Sequence, residues 1–183
     1  MRNVIVTGGS RGLGLGIACK LSCAGYRVIA VARKESRELA VAMQEAEVAN
    51  PGSLHFVPFD LAAIEGIPEL VKSLRKRFGA IYGLVNNAGI SFDGTLALMP
   101  TSQIEQLVRV NTISPIVLSK YVVRSMMAAV YYACLNATGL GSNIVSVPQL
   151  YGTTHSLFSH LLPSQGVSVR FAESDCAGPG KTD

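Results

Sequence analysis

Short apolar runs alternate with longer helical segments along the amino-terminal part of the chain, and this alternation constrains the fold more than any other feature. β-rich runs are predicted at residues 2–7, 26–32, 54–59 and 81–86, and helices at 12–25, 35–49, 64–78 and 101–127. Such alternation predicts an α/β fold, a doubly wound parallel sheet with helices on both faces. Ligands of these sheets bind at the carboxyl ends of the strands, so the residues after each strand are the candidate site.

Composition favours one globular domain and excludes several other classes. The 183 residues are 49% hydrophobic and 15% charged, and the net charge of +4 comes from scattered bases, so nucleic acid is not an expected partner. The four cysteines have neither disulfide-scaffold nor zinc-site spacing, so we expect buried, reduced thiols and no metal. The first apolar run is too short for a signal sequence and no stretch is long enough to span a membrane, which predicts a cytoplasmic protein.

A charge-free stretch sets the carboxyl-terminal part apart. Residues 125–169 contain no Asp, Glu, Lys or Arg, whereas 45 residues at the chain's 15% would carry about seven. Pro148 and Pro163 interrupt the stretch, so it cannot form one membrane helix. We therefore expect a regular dinucleotide-binding core over residues 1–128, and in 129–183 an atypical remainder of the same domain that is truncated or irregular.

The turn after the first strand has the chemistry of a phosphate-binding loop. Its sequence is Thr7-Gly8-Gly9-Ser10-Arg11-Gly12-Leu13-Gly14, and it follows a strand and opens a helix. Gly8 permits a tight turn, Gly12 lets the backbone approach a pyrophosphate, and Gly14 allows close packing of the helix. The helix start also presents backbone N–H groups and partial positive charge to the phosphates.

The spacing Gly-x-x-x-Gly-x-Gly behind a threonine resembles the short-chain dehydrogenase/reductase family. Three further matches follow in order: Asp60-Leu61 after the third strand, Asn86-Asn87-Ala88-Gly89 after the fourth, and Asn111 in the helix predicted at 101–127. The resemblance covers about residues 1–128 and is greatest to the bacterial 3-oxoacyl carrier-protein reductases. It implies a Rossmann-like fold, reduction of a ketone or 3-oxoacyl thioester in fatty acid metabolism, adenine binding at Asp60, a proton-relay water at Asn111, and a homo-oligomer.

Charge at the end of the second strand favours NADP(H) over NAD(H). An NAD site places a carboxylate there for the ribose 2′-hydroxyl, whereas a 2′-phosphate needs a cation. Here the strand runs into Arg33 and Lys34, and Arg11 lies inside the glycine turn. The turn, the charges and the resemblance together assign cofactor binding to Gly8, Ser10, Arg11, Gly12, Leu13, Gly14, Arg33, Asp60, Leu61, Asn87, Ala88 and Gly89.

The catalytic set that the resemblance implies is incomplete. The family uses a serine and a Tyr-x-x-x-Lys pair, and this sequence contains no Tyr-x-x-x-Lys. The nearest candidate is Tyr151 with His155 in the position of the lysine. Lysine stays charged at pH 7, whereas histidine with a reference pKa of about 6.5 is mostly neutral and would lower the pKa of a tyrosine less. Pro148 and Gln149 stand where the family's fifth strand ends in serine.

Three hypotheses therefore stay open. The chain is an NADP(H)-dependent reductase in which Tyr151 donates the proton and Asn111 serves the relay, or it is a nucleotide-binding or interaction module that has lost the proton machinery. The third is that the tail is not native-like, through truncation or a shifted reading frame. The first two predict the same cofactor cleft and differ only in turnover.

Overall fold

The computed structural model describes residues 1–49, 51–138, 141–146 and 152–172. The chain forms two compact units, Met1–Met126 and Met127–Asp183. The strands of the first unit are β1 (Asn3–Thr7), β2 (Arg27–Ala32), β3 (Ser53–Pro58) and β4 (Ile81–Val85). Its helices are α1 (Gly12–Cys23), α2 (Arg37–Ala49), α3 (Ile67–Phe78), α4 (Thr101–Val108) and the first half of α5 (Ser114–Ala137).

The four strands form one parallel sheet in the order β3-β2-β1-β4. Val4 pairs with Val28 and Ile5 with Ile29, so the two central strands run in register along their length. Because all four strands are parallel, the turns that follow them lie at one edge of the sheet. The predicted parallel α/β architecture is confirmed.

Helices cover both faces of this sheet. Ile5 and Ile29 point to one face, where they pack with α3 and α5 side chains such as Leu74 and Leu118. The alternate strand residues pack on the other face against α1 and α2, with Leu39 completely buried. The strands are therefore apolar on both sides, which is why they appear in the sequence as continuous hydrophobic runs rather than alternating ones.

The helix predicted over residues 101–127 is broken and longer than expected. α4 ends at Val108, a π-helical turn occupies Arg109–Ile113, and α5 continues to Ala137. Pro115 has no N–H to donate to the carbonyl of Asn111, so the regular α-helical ladder cannot pass through this point. Residues 129–137, which lie beyond the end of the predicted helix, belong to α5.

The second unit contains a small parallel sheet and short helices. β5 (Asn143–Ser146) pairs with β6 (Ser168–Phe171), and between them lie α6 (Gly152–Ser156), a π-helical turn (Leu157–Leu161) and α7 (Leu162–Ser164). Among the described residues of this unit, Leu157, Phe158, Leu162 and Val167 are buried and pack together. Pro148 and Gln149, which the family resemblance places at the end of the fifth strand, lie outside the described residues.

The expectation that the cysteines are buried is wrong for Cys23, which is exposed on α1. Cys19 and Cys134 are half-buried, and Cys176 lies outside the described residues. Burial, followed by the nearby Cys23 and Glu45, raises the pKa of the Cys19 thiol. Within the described part of the chain, no helix combines the length and the apolar character needed to cross a membrane.

Candidate functional site

A cleft of about 760 Å³ lies at the carboxyl ends of the strands of the first unit. It brings together all twelve residues that the sequence assigned to cofactor binding. Its other lining residues are Val31, Ala32, Lys34, Glu35, Ser36, Phe59, Ile90, Gln106 and Val110. The parallel sheet explains this convergence, because turns that are distant in the sequence follow strands that end at the same edge.

The glycine turn needs glycine at three positions, each for a different reason. Gly8 has a φ of 66°, and a Cβ there would lie 2.9 Å from the Cα of Ala88. A Cβ on Gly14 would overlap the carbonyl oxygen of Gly8 and the side-chain nitrogen of Asn87. Gly12 has a φ of 56°, and no described atom lies within 4 Å of where its Cβ would be. Gly8 and Gly14 therefore allow the turn to pack closely, whereas Gly12 leaves open space over the backbone.

Thr7 joins this turn to the one after β4. Its hydroxyl accepts the backbone N–H groups of Asn87 and Ala88, each at 3.0 Å, and donates to the carbonyl of Val85 at 3.3 Å. The Asn87 side chain donates back to the carbonyl of Thr7 at 3.0 Å. These bonds hold the β4 turn against the glycine turn and shape the floor of the cleft.

The end of β2 brings both signs of charge to the cleft. Arg33 and Lys34 line it together with Arg11 from the glycine turn, but Glu35 also lines it. Sequence reasoning missed this carboxylate, although it lies next to Lys34. Ser36 then fixes the corner, because its hydroxyl donates to the carbonyl of Ser10 and accepts the N–H of Leu39 at 3.0 Å.

The capping bond of Ser36 also explains where α2 begins. A serine hydroxyl that accepts the N–H three residues ahead is a typical helix N-cap, so α2 starts at Arg37 and not at the predicted Glu35. The N–H of Glu38 itself and then the Ser36 hydroxyl lower the pKa of the Glu38 carboxyl, and Arg11 contributes to the same shift.

The turn after β3 is closed by an aspartate. Oδ1 of Asp60 accepts the N–H of Ala62 at 2.9 Å, and its carbonyl accepts the N–H of Ala63 at 2.9 Å. Asp60 is exposed to the cleft, while Leu61 beside it is 8% exposed and joins the core. One carboxylate oxygen is thus used within the turn, and the second can receive a donor from a ligand.

Asn111 lies in the π-helical turn and clamps the segment after β4. Its Oδ1 accepts the N–H of Ile90 at 2.9 Å, and its Nδ2 donates to the carbonyl of Ile90 at 2.8 Å. Val110, which precedes it, is 7% exposed and lines the cleft with Gln106. Neither Val110 nor Gln106 belongs to a motif; the sequence signal for both is their position close to Asn111 in the helix predicted over residues 101–127.

The catalytic candidates of the carboxyl-terminal part belong to the second unit. Tyr151 lies outside the described residues. His155 is exposed, its Nδ1 lies 3.1 Å from Oγ of Ser159, and its ring stacks on Phe171 with 4.9 Å between centroids. The roles assigned to Tyr151 and His155 stay predictions.

Comparison with known proteins identifies the class. The model of the short chain dehydrogenase family matches residues 2–153, and the chain belongs to that family of oxidoreductases. The predicted family resemblance is confirmed. Among curated relatives, 3-oxoacyl-(acyl-carrier-protein) reductase of Escherichia coli K12 is 38% identical over 123 residues, which are 67% of this chain and 48% of the relative. Farnesol dehydrogenase of Aedes aegypti is 41% identical over 86 residues, 47% of this chain and 35% of the relative.

Solved structures show the same architecture. A metagenomic short-chain oxidoreductase in complex with NADP has a TM-score of 0.64 at 26% identity, covering 93% of this chain and 80% of that one. A 3-oxoacyl-(acyl-carrier-protein) reductase from Brucella melitensis in complex with NAD has a TM-score of 0.63 at 28% identity, covering 80% and 55%. The Rossmann-like fold is confirmed, and the chain spans about half the length of the first curated relatives it matches.

Proposed function

We propose that the cleft binds NADP(H) and that the protein reduces a ketone or a 3-oxoacyl thioester to the alcohol. The observation that carries the proposal is that Arg11, Arg33 and Lys34 all line the cleft that the glycine turn also lines. The similarity to 3-oxoacyl-(acyl-carrier-protein) reductases supports the substrate class.

The glycine turn and the start of α1 are suited to bind a pyrophosphate. Gly12 leaves open space above its backbone. Helix α1 begins at this residue, and the side chain of the N-cap residue, Arg11, makes no capping hydrogen bond to the helix. Backbone N–H groups at an uncapped helix start, aided by the helix dipole, bind phosphate oxygens without a specific side chain. A side chain at position 12 would fill the space that the ligand needs.

Charge supports NADP(H) as the cofactor. Three cations, Arg11, Arg33 and Lys34, and two carboxylates, Glu35 and Asp60, line the cleft, so a 2′-phosphate would meet an excess of positive charge. Guanidinium groups bind phosphate with two parallel hydrogen bonds, which favours a role for Arg11 and Arg33. The crystallised relatives contain NADP in one case and NAD in another.

The reduction needs a hydride and a proton. A bound NADPH supplies the hydride to the carbonyl carbon, and a protein group must protonate the oxygen that becomes the hydroxyl. We assign the role of proton donor to Tyr151. His155, four residues further along the chain, takes the position of the family's lysine, and Asn111 holds a water of the proton relay. Because a histidine side chain is shorter than that of lysine and reaches less far toward the cofactor ribose, turnover is expected to be slow relative to an enzyme with the lysine.

Binding tests the cofactor assignment directly. Fluorescence titration should give a tighter complex with NADPH than with NADH. Arg33→Met should weaken NADPH by about tenfold or more, as expected for loss of a charged hydrogen bond, and leave NADH nearly unchanged. Arg75→Met is the matched control, because Arg75 is an exposed cation in the last turn of α3 and does not line the cleft. NADH binding as tight as NADPH would refute the roles of Arg11 and Arg33.

Turnover separates the two functional hypotheses. Reduction of a 3-oxoacyl thioester that is lost in Tyr151→Phe supports the reductase. Unchanged turnover in that variant would remove Tyr151 from the mechanism. NADPH binding with no turnover of ketones or thioesters would favour a nucleotide-binding module, consistent with the missing Tyr-x-x-x-Lys.

We also propose a cytoplasmic homo-oligomer. Leu96, Leu98 and Ile116 of the first unit are 74%, 83% and 64% exposed, which supports an apolar contact between copies. Sedimentation of the chain at micromolar concentration tests this, and a monomer would refute it.

A further inference from the structure

Arg109 bridges two parts of the cleft wall without lining the cleft itself. It lies at the start of the π-helical turn, and one guanidinium nitrogen donates to the carbonyl of Ala62 at 3.2 Å. The same nitrogen pairs with a carboxylate oxygen of Glu65 at 3.4 Å. The Arg109 side chain is 46% exposed and that of Glu65 is 79% exposed, so the ion pair is weak and the bond to the carbonyl is the specific contact.

The contacted carbonyl belongs to the turn that carries Asp60. Ala62 donates its N–H to the Asp60 carboxylate and accepts the Arg109 guanidinium through its carbonyl. Arg109 therefore holds the outer side of a turn whose inner side, Asp60 and Leu61, lines the cleft. If that bond is lost, the turn keeps its internal hydrogen bonds and the packing of Leu61 but loses its hydrogen bond to the π-helical turn.

The same π-helical turn also holds the opposite wall. Two residues after Arg109, Asn111 makes its two hydrogen bonds to the backbone of Ile90, which follows β4. β3 and β4 are the outer strands of the order β3-β2-β1-β4, so their ends are separated by three strand spacings, about 14 Å. A single helical turn thus ties together the two outer walls of the cleft.

We propose that Arg109 is a positioning residue that sets the width of the cofactor cleft and couples the adenine-side turn at Asp60 to the placement of Asn111. The inference rests on the proposed cofactor function of the cleft. A π-helical turn suits this role because it redirects successive side chains relative to an α-helix, so that Arg109 and Asn111 reach different strands while Val110 between them faces the cleft.

Three variants isolate the contact. Arg109→Met keeps the apolar stem and removes the donor; Arg109→Lys keeps a cation that can donate to the Ala62 carbonyl; Glu65→Gln removes the ion pair and leaves that carbonyl bond. NADPH affinity should fall about three- to tenfold in Arg109→Met, as expected for one lost hydrogen bond, and change less than about twofold in Glu65→Gln. Arg109→Lys should recover most of the loss.

Amide hydrogen exchange of the protein without ligand tests the coupling itself. The N–H groups of Ala62 and Ile90 should both exchange faster in Arg109→Met, with the urea midpoint nearly unchanged, whereas a purely local role would affect Ala62 alone. Asn111→Ala should in turn accelerate exchange at Ala62. Exchange limited to one wall, or wild-type NADPH affinity in Arg109→Met, would overturn the inference. If the wild-type protein fails to bind NADPH, the proposed function fails, and the exchange experiment still decides whether the two walls are coupled.

Discussion

Replacing Thr7 by valine should separate the hydrogen bonds of this residue from its packing. Thr7 is 2% exposed, and valine has nearly the same shape, so little apolar contact is lost. What is lost is the acceptor for the N–H groups of Asn87 and Ala88, both at 3.0 Å. Two half-buried N–H donors left without this acceptor would cost up to about 1–3 kcal/mol each. Because Asn87 and Ala88 both line the cleft, where water can reach them, we expect about 2–4 kcal/mol in total.

Urea unfolding followed by circular dichroism measures this loss, and Thr7→Ser is the matched control. Serine keeps the hydroxyl and removes one buried methyl group, which should cost about 1 kcal/mol. NADPH affinity should also fall in Thr7→Val, since the Asn87-Ala88-Gly89 segment would no longer be held against the glycine turn. If Thr7→Val were as stable as Thr7→Ser, the hydroxyl would not join the two turns and the explanation of the cleft floor would be wrong.

Two further predictions concern packing and pH. Gly14→Ala should destabilise the protein by about 1–3 kcal/mol, because its methyl group overlaps Gly8 and Asn87, and it should weaken NADPH binding. Gly16→Ala on the same helix should instead stabilise by about 0.5–1 kcal/mol, since open space surrounds its Cβ position among the described residues; equal effects in urea unfolding would contradict this contrast. Burial, and then two nearby guanidinium groups, lower the pKa of His55 below its reference of 6.5. The unfolded chain therefore takes up a proton at His55 before the folded protein does, so its contribution to stability is complete above pH 6.5 and declines as the pH falls. The stability of wild type relative to His55→Gln should fall between pH 7.5 and pH 5; a constant difference in urea midpoints would refute the assignment.

Much of the fold could be predicted because it depends on local patterns. Apolar runs alternating with helical segments require a parallel sheet, and parallel strands end at one edge, so Asp60 and Asn87 had to approach the glycine turn. The break in the long helix could not be placed by hydrophobic periodicity, which continues through it. It depends on how the segment around Pro115 accommodates a missing N–H.

The contacts between side chains and distant backbone groups around the cleft could not be predicted from the sequence, because they depend on how the strands and helices pack. Local sequence patterns already predicted the glycine turn, the ends of the strands and the cations beside them, because each of these depends on residues that are neighbours in the sequence. That Glu35 faces the cleft, that Arg109 holds the carbonyl of Ala62 and that Asn111 clamps Ile90 follow instead from the register of distant segments and from the direction of individual side chains. Those contacts join residues 21 and 47 positions apart, and no local pattern records which of many polar groups will meet at such separations.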